Sequence, residues 1–131
     1  MLQIRYNIFE TNSSSTHAMI MCSDEDYKKL ISGEYMISGY EYPNGEYNSF
    51  VARKEVYDWF WNEYYPQNRD YLESDYGIID SSYDIETILA EEGIAYTFEN
   101  FGGERYELFD DEFTTSHGEI VHAFGYYGND W

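Results

Sequence analysis

Residues 16–33, THAMIMCSDEDYKKLISG, carry an apolar stretch that runs directly into a capped helix. The apolar run at 16–22 predicts a strand. Ser23 is suited to cap a helix, three acidic residues fill the first turn after it, and Gly33 is a stop signal. The stretch therefore predicts a strand followed at once by a short helix over 24–32.

The segments on either side of this stretch add a hairpin and a core helix. Residues 3–9 (QIRYNIF) predict a strand that pairs with 16–22 across the polar turn ETNSSS. Further along, RKEVYDWFWNEYYP ends its helical pattern at Pro66. Its aromatic side chains recur at helical spacing, at Tyr57, Phe60, Trp61 and Tyr64. Such a stripe indicates a helix that faces the core.

The rest of the chain predicts more strands and a third helix. In chain order, these elements are a strand at 34–38, a helix at 83–92 capped by Ser81 or Ser82, a β-hairpin of 94–100 and 104–109 around Gly102-Gly103, and a last strand at 119–127. We found no repeat and no linker. The order predicts an α+β fold, with a mostly antiparallel sheet and about three short helices, in a single domain over 1–131.

Negative charge dominates the composition. The 131 residues include 26 acidic and 7 basic ones, a formal net charge of -19, yet 21% are aromatic. So much aromatic area favours a folded core over a disordered acidic chain. The charge is uneven, since residues 73–131 hold 15 acidic residues and Arg105 alone. The second half of the chain is therefore the negative pole.

The charge and the apolar pattern exclude several functions and locations. Direct binding of nucleic acid is disfavoured because phosphates would be repelled. A membrane role is disfavoured because no run of about 20 apolar residues is present and anionic lipids would repel the chain. The lone Cys22 excludes an internal disulfide, and the opening residues do not resemble a signal peptide. We therefore expect a cytoplasmic protein.

An unbalanced acidic surface indicates a cationic protein partner, and the commonest cationic surfaces are those that hold nucleic acid. Dense carboxylates can occupy such a groove in place of phosphates. The expected partner-binding residues are Glu86, Glu91, Glu92, Glu104, Glu107, Asp110, Asp111 and Glu112.

The few histidines and the cysteine form two short clusters, which suggest a metal site. His17 lies near Cys22, and His117 lies near His122. One thiolate and three imidazoles suit tetrahedral zinc, so we expect these four residues to be the ligands of a structural zinc ion. A shared ion would tie the first hairpin to the last strand.

Ser15 and His17 raise the alternative of a Ser/His hydrolase, because a serine beside a histidine can form a nucleophile–base pair. No G-x-S-x-G elbow accompanies them, and runs of Ser and Thr more often form turns. We therefore expect no enzymatic activity.

The opening FETNSSSTH, residues 9–17, resembles the start of small proteins of bacteriophages and prophages of Gram-positive bacteria. With its size and charge, the chain resembles anti-CRISPR proteins, in particular the inhibitors of type II Cas9, some of which are acidic and one of which carries zinc. The resemblance implies a phage protein that acts in the cytoplasm of the host bacterium as a DNA mimic and blocks loading of target DNA onto Cas9. The alternatives are a zinc-binding phage accessory protein of another function and the Ser/His hydrolase.

Overall fold

Seven strands form two antiparallel sheets in the part of the chain that the computed structural model describes, residues 3–9, 15–43, 47–101 and 107–129. For residues 3–9, 15–17, 107 and 127–129 only the backbone is described. The strands are β1 (Gln3–Phe9), β2 (Ser15–Ser23), β3 (Tyr35–Ser38), β4 (Phe50–Ala52), β5 (Ala95–Tyr96), β6 (Glu107–Thr114) and β7 (Ile120–Asn129). The helices are α1 (Asp24–Ser32), α2 (Arg53–Trp59), α3 (Tyr65–Gln67), α4 (Arg69–Tyr76) and α5 (Glu86–Glu91), with a π-helical turn (Phe60–Tyr64) between α2 and α3. The predicted α+β class is confirmed.

The larger sheet has the strand order β1-β2-β7-β6. The predicted first hairpin forms, and its register runs from Gln3 opposite Cys22 to Phe9 opposite Thr16. The last strand is also confirmed, and it lies antiparallel between β2 and β6. The first hairpin and the last strand therefore belong to one sheet, with β2 and β7 at its centre.

The predicted hairpin of 94–100 with 104–109 is wrong. β5 pairs with β3 in the smaller sheet, of order β4-β3-β5, whereas β6 pairs with β7 in the larger sheet. The two runs flank a Gly-Gly turn signal, which favours pairing between them, but β5 pairs with a strand far back in the sequence and β6 pairs with the next strand along the chain. Gly102-Gly103 and most of the turn ETNSSS lie outside the described residues.

The helix at 24–32 forms as its capping signals predict. The Ser23 side chain accepts a hydrogen bond from the Asp26 N–H at 3.2 Å. Gly33 ends the helix in the left-handed conformation, with φ of 88° and its N–H bonded to the Leu30 carbonyl. None of the helices in the described ranges has the length and apolar character needed to cross a membrane.

The long helical segment does not bury all of the aromatic residues that were predicted. In the π-helical turn, the Tyr65 N–H bonds to the Phe60 carbonyl, which inserts one extra residue into the turn. The buried positions are consequently Val56, Phe60 and Tyr65, while Trp61 and Tyr64 are only partly buried. Pro66 does not end the segment, which continues to Gln67.

The third predicted helix is shorter than expected and begins later, at Glu86. The N–H of Ser82 bonds to the carboxylate of Asp80, so the serines lie in a turn rather than at a cap. The Asp84 carboxylate accepts the Glu86 N–H at 3.1 Å instead. The prediction that Ser81 or Ser82 caps this helix is therefore wrong.

The smaller sheet lies between two hydrophobic cores because its residues alternate between its faces. Ile37 and Phe50, which are register partners, pack with the larger sheet and Leu30 of α1. Met36 and Val51 belong instead to the core built with the helices. The described chain thus forms three layers, a four-stranded sheet, a three-stranded sheet and the helices, with α1 packed against the larger sheet.

The close approach of β2 to the backbone of Gly125 in β7 predicts an effect of glycine substitution. A Cβ added to Gly125 would lie 1.9 Å from the Ala18 carbonyl oxygen, whereas a Cβ on Gly77, at φ 71°, would meet nothing within 4 Å. We expect Gly125→Ala to lower the free energy of unfolding by about 3 kcal/mol or more, and Gly77→Ala by about 1–2 kcal/mol for its left-handed backbone. Urea unfolding followed by circular dichroism measures both losses. Equal losses would contradict the tight contact between the strands.

Candidate metal centre and acidic edge strand

One row of side chains crosses three strands of the larger sheet. Cys22 of β2 lies opposite His122 of β7, which lies opposite Glu112 of β6. Residues paired in this way project from the same face of a sheet. Asp24, the first residue of α1, follows Cys22 by two positions, so the start of the helix lies beside this row.

His122 is the centre of the group. Its side chain is 6% exposed, and its Nε2 lies 2.8 Å from Asp24 Oδ1 and 3.8 Å from Glu112 Oε1. The ring of Tyr27 stacks on the imidazole, with centroids 3.8 Å apart and planes 2° apart. The Tyr27 hydroxyl donates a hydrogen bond to Asp110. The imidazole is therefore held between α1 and β6.

The electrostatics of the group keep Asp24 ionised. The hydrogen bond from His122 lowers the pKa of Asp24, and the Lys28 ammonium, 2.9 Å from Oδ2, lowers it further. Burial, followed by the hydrogen bond to Asp110, raises the pKa of Tyr27 above its ordinary value. Tyr27 thus stays protonated, so that its ring stacks on His122 while its hydroxyl donates a hydrogen bond to Asp110.

Asp24, Glu112 and His122 could hold a metal ion. Each offers one ligand atom, and these atoms lie within 4.8 Å of one another. Two carboxylates and one imidazole are suitable ligands for zinc and for several other divalent metals.

Cys22 lies in the same row but in a different environment. It is fully buried in the core with Ala18, Ile20 and Phe124. Burial, followed by the charges of Asp26 and two further carboxylates, raises the pKa of the thiol to about 12. A thiol held protonated in this way is unsuited to act as a nucleophile, because only the thiolate attacks.

The other two expected zinc ligands do not join this group. The backbone of His17 pairs with Ile8 and Tyr127, five residues along β2 from Cys22, which is about 16 Å in an extended strand. His117 is exposed in the turn between β6 and β7, where its N–H bonds to the Thr115 hydroxyl. Of the four, only Cys22 and His122 are neighbours. Since the side chains of Ser15 and His17 are not described, the hydrolase alternative stays a prediction.

Asp24 is the member of the metal group that the sequence did not indicate for any site. Asp24 lies in the first turn of a helix, where a carboxylate interacts favourably with the helix dipole, and this role accounts for it without a metal. Glu112 was expected to bind a partner, not a metal. Only the register that pairs β2 with β7 and β7 with β6 shows that these residues meet.

The expected partner-binding residues separate into distinct environments. Glu86 is 3.4 Å from the Arg53 guanidinium, and Glu91 is exposed. Glu104 lies outside the described residues, and Glu107 is described by its backbone alone. Of the four that remain, Glu92 lies at the end of α5, and Asp110, Asp111 and Glu112 are consecutive and exposed on β6.

Glu92 is enclosed by tyrosines rather than free for a partner. Its carboxylate accepts hydrogen bonds from the hydroxyls of Tyr64, Tyr71 and Tyr76, at 2.7, 2.8 and 2.6 Å. Burial acts to raise the pKa of Glu92, but the three hydroxyls together hold it below its ordinary value. This carboxylate joins the end of α5 to the π-helical turn and to α4.

Comparison of the chain with protein-family models, with curated proteins and with solved structures finds no match.

The tyrosine enclosure predicts a pH-dependent effect of Glu92→Gln. Since the folded-state pKa of Glu92 is lowered from 4.5, its contribution is complete above that pH and is lost as the pH falls through the folded-state pKa. We expect the variant to be less stable than the wild type by about 1–3 kcal/mol at pH 7, with the difference shrinking below about pH 4. Urea unfolding at a series of pH values measures it. The exposed neighbour supplies the control, Glu91→Gln, and an equal effect there would contradict the role of the tyrosines.

Proposed function

We propose that this protein binds a basic protein that handles nucleic acid, with type II Cas9 as the first candidate, and blocks loading of target DNA with its acidic edge strand. The observation that carries the proposal is the run of three consecutive exposed carboxylates on β6, Asp110, Asp111 and Glu112. Among the described residues, no lysine or arginine forms an ion pair with any of them. The charge of Asp111 is therefore fully available to a cationic partner, whereas Asp110 also accepts a hydrogen bond from Tyr27 and Glu112 lies 3.8 Å from His122.

These carboxylates supply one negative charge at each of three successive residues, as the backbone of a nucleic-acid strand supplies one at each nucleotide. Successive carboxylates point to opposite faces of the sheet, so they present charge to both sides of the edge. A groove lined with lysine and arginine can therefore bind this edge in place of a phosphate backbone.

Other features of the chain support an inhibitor that binds without catalysis. The net charge of -19 opposes direct contact with nucleic acid and favours fast association with a basic surface. The buried Cys22, with a raised thiol pKa, is a poor nucleophile. The proposed place of action is the cytoplasm of the host bacterium, where Cas9 works.

Charge reversal on β6 tests the function. Asp111 is the suitable position, because Asp110 bonds to Tyr27 and Glu112 lies beside His122. We expect Asp111→Lys to weaken inhibition of target-DNA binding by Cas9 with guide RNA about tenfold or more. The control, Asp58→Lys, makes the same charge change at an exposed position of α2 and should change inhibition less than about twofold.

The measurement is DNA binding at fixed Cas9 and guide RNA while the inhibitor is titrated over a series of salt concentrations. Inhibition should saturate near one inhibitor per Cas9 and weaken as salt rises. Undiminished DNA binding at low salt with the inhibitor in excess would refute the Cas9 partner. Equal losses in the two variants would refute the role of β6.

We also propose that the metal group is a zinc site, with Asp24, Glu112 and His122 as ligands and the fourth position open. Zinc takes nitrogen and oxygen ligands of this kind. The ligand atoms of the two carboxylates and the imidazole lie within 4.8 Å of one another, so a single ion can contact all three. A bound ion would offset the repulsion among these carboxylates.

Ligand substitution distinguishes this zinc site from the set expected from sequence. We expect Asp24→Asn or Glu112→Gln to lower zinc affinity about tenfold or more, while His117→Ala and Cys22→Ala leave it unchanged. Calorimetric titration measures the affinity, and zinc should raise the melting temperature of the wild type. If Cys22→Ala loses zinc binding while Asp24→Asn retains it, the result would favour the ligand set expected from the sequence and refute the site of Asp24, Glu112 and His122.

A further inference from the structure

β6 is an exposed edge of the larger sheet. The strand order places β7 on one side of it, and among the described residues no strand pairs with its other side. Its eight residues extend about 27 Å and leave a row of backbone N–H and C=O groups on the outer edge. Such a row is a template for pairing with another chain unless side chains prevent it.

The side chains of β6 give this edge a definite chemical pattern. Three carboxylates occupy its centre, and Leu108 and Phe113 are each 43% exposed near its two ends. Leu108 lies opposite Tyr126, on the face that packs on α1, whereas Phe113 lies opposite Val121, on the other face. The edge therefore has an acidic centre between two apolar contacts, one on each face.

A second copy of the chain is a poor occupant of this edge. Antiparallel pairing of two β6 strands centred on Asp111 would place Asp111 opposite itself and Asp110 opposite Glu112. Like charges in directly opposed positions destabilise a strand pair. The net charge of -19 on each copy adds to the repulsion.

We propose that β6 binds an extended basic segment of its partner protein as a fifth strand of the sheet. In this mode of recognition, backbone hydrogen bonds supply affinity and the alternating side chains supply specificity. Lysine or arginine at successive central positions would face the three carboxylates, and apolar residues on either side would cover Leu108 and Phe113. The inference rests on the proposed function for the kind of partner, and it adds the geometry of binding.

Two synthetic peptides separate strand pairing from simple charge attraction. One has three central basic residues flanked by valines and threonines. The other has the same charge but carries prolines within the basic segment, so it cannot supply the same hydrogen bonds. We expect the first peptide to bind at about 150 mM salt and at concentrations up to about 1 mM, and the second to bind at least tenfold more weakly. In the complex, the amides of β6 should exchange with solvent more slowly at alternate positions.

Each other outcome overturns the inference. Equal binding of the two peptides would show that charge alone is recognised, and no binding of either would show that the edge takes no basic strand. Dimerisation of the free protein, measured by sedimentation, with protected β6 amides would assign the edge to a second copy. The Cas9 titration tests the proposed function separately. If Asp111→Lys loses inhibition but the peptide test fails, the proposed function stands and strand addition is refuted.

Discussion

The antiparallel pairing of β2 with β7 is the contact on which the rest of the structure depends. It runs from Ser15 opposite Asn129 to Ser23 opposite Val121, and it brings the first hairpin together with the acidic edge strand. It also places His122 beside Asp24, at a separation of 98 residues along the chain. A shift of one residue in this register would move the imidazole to the other face of the sheet and separate His122 from Asp24.

The carboxylates of this chain fall into two kinds that its composition does not distinguish. Some have partners within the fold: Glu92 accepts hydrogen bonds from three tyrosine hydroxyls, and Glu86 pairs with the Arg53 guanidinium. Others, such as Asp111, remain exposed with no basic side chain beside them in the described structure. The many tyrosines thus do more than fill the core, because their hydroxyls satisfy carboxylates where lysines are scarce.

The sequence predicts those elements whose signals are local. The hairpin of 3–9 with 16–22 and the helix of 24–32 follow from apolar runs and capping residues a few positions apart, and the structure has both. The pairing of β5 with β3 depends on contacts remote in sequence, which no local pattern encodes. The candidate metal site could not be predicted from the sequence for the same reason, since Asp24 and Glu112 approach His122 only when three strands are aligned. The π-helical turn is a further limit, because one inserted residue moves the buried position from Tyr64 to Tyr65.

The separation of β2 from β7 in sequence also sets the order of events during synthesis. β2 leaves the ribosome about a hundred residues before its central partner, so the larger sheet cannot close until β7 has been made. Until then β2 has only β1 to pair with, and an isolated two-stranded hairpin is marginally stable. The face carrying Ala18, Ile20 and Cys22 is meanwhile open to solvent or to a chaperone. We therefore expect folding to be slow for a chain of this size, and the acidic edge to form only after both β6 and β7 have been made.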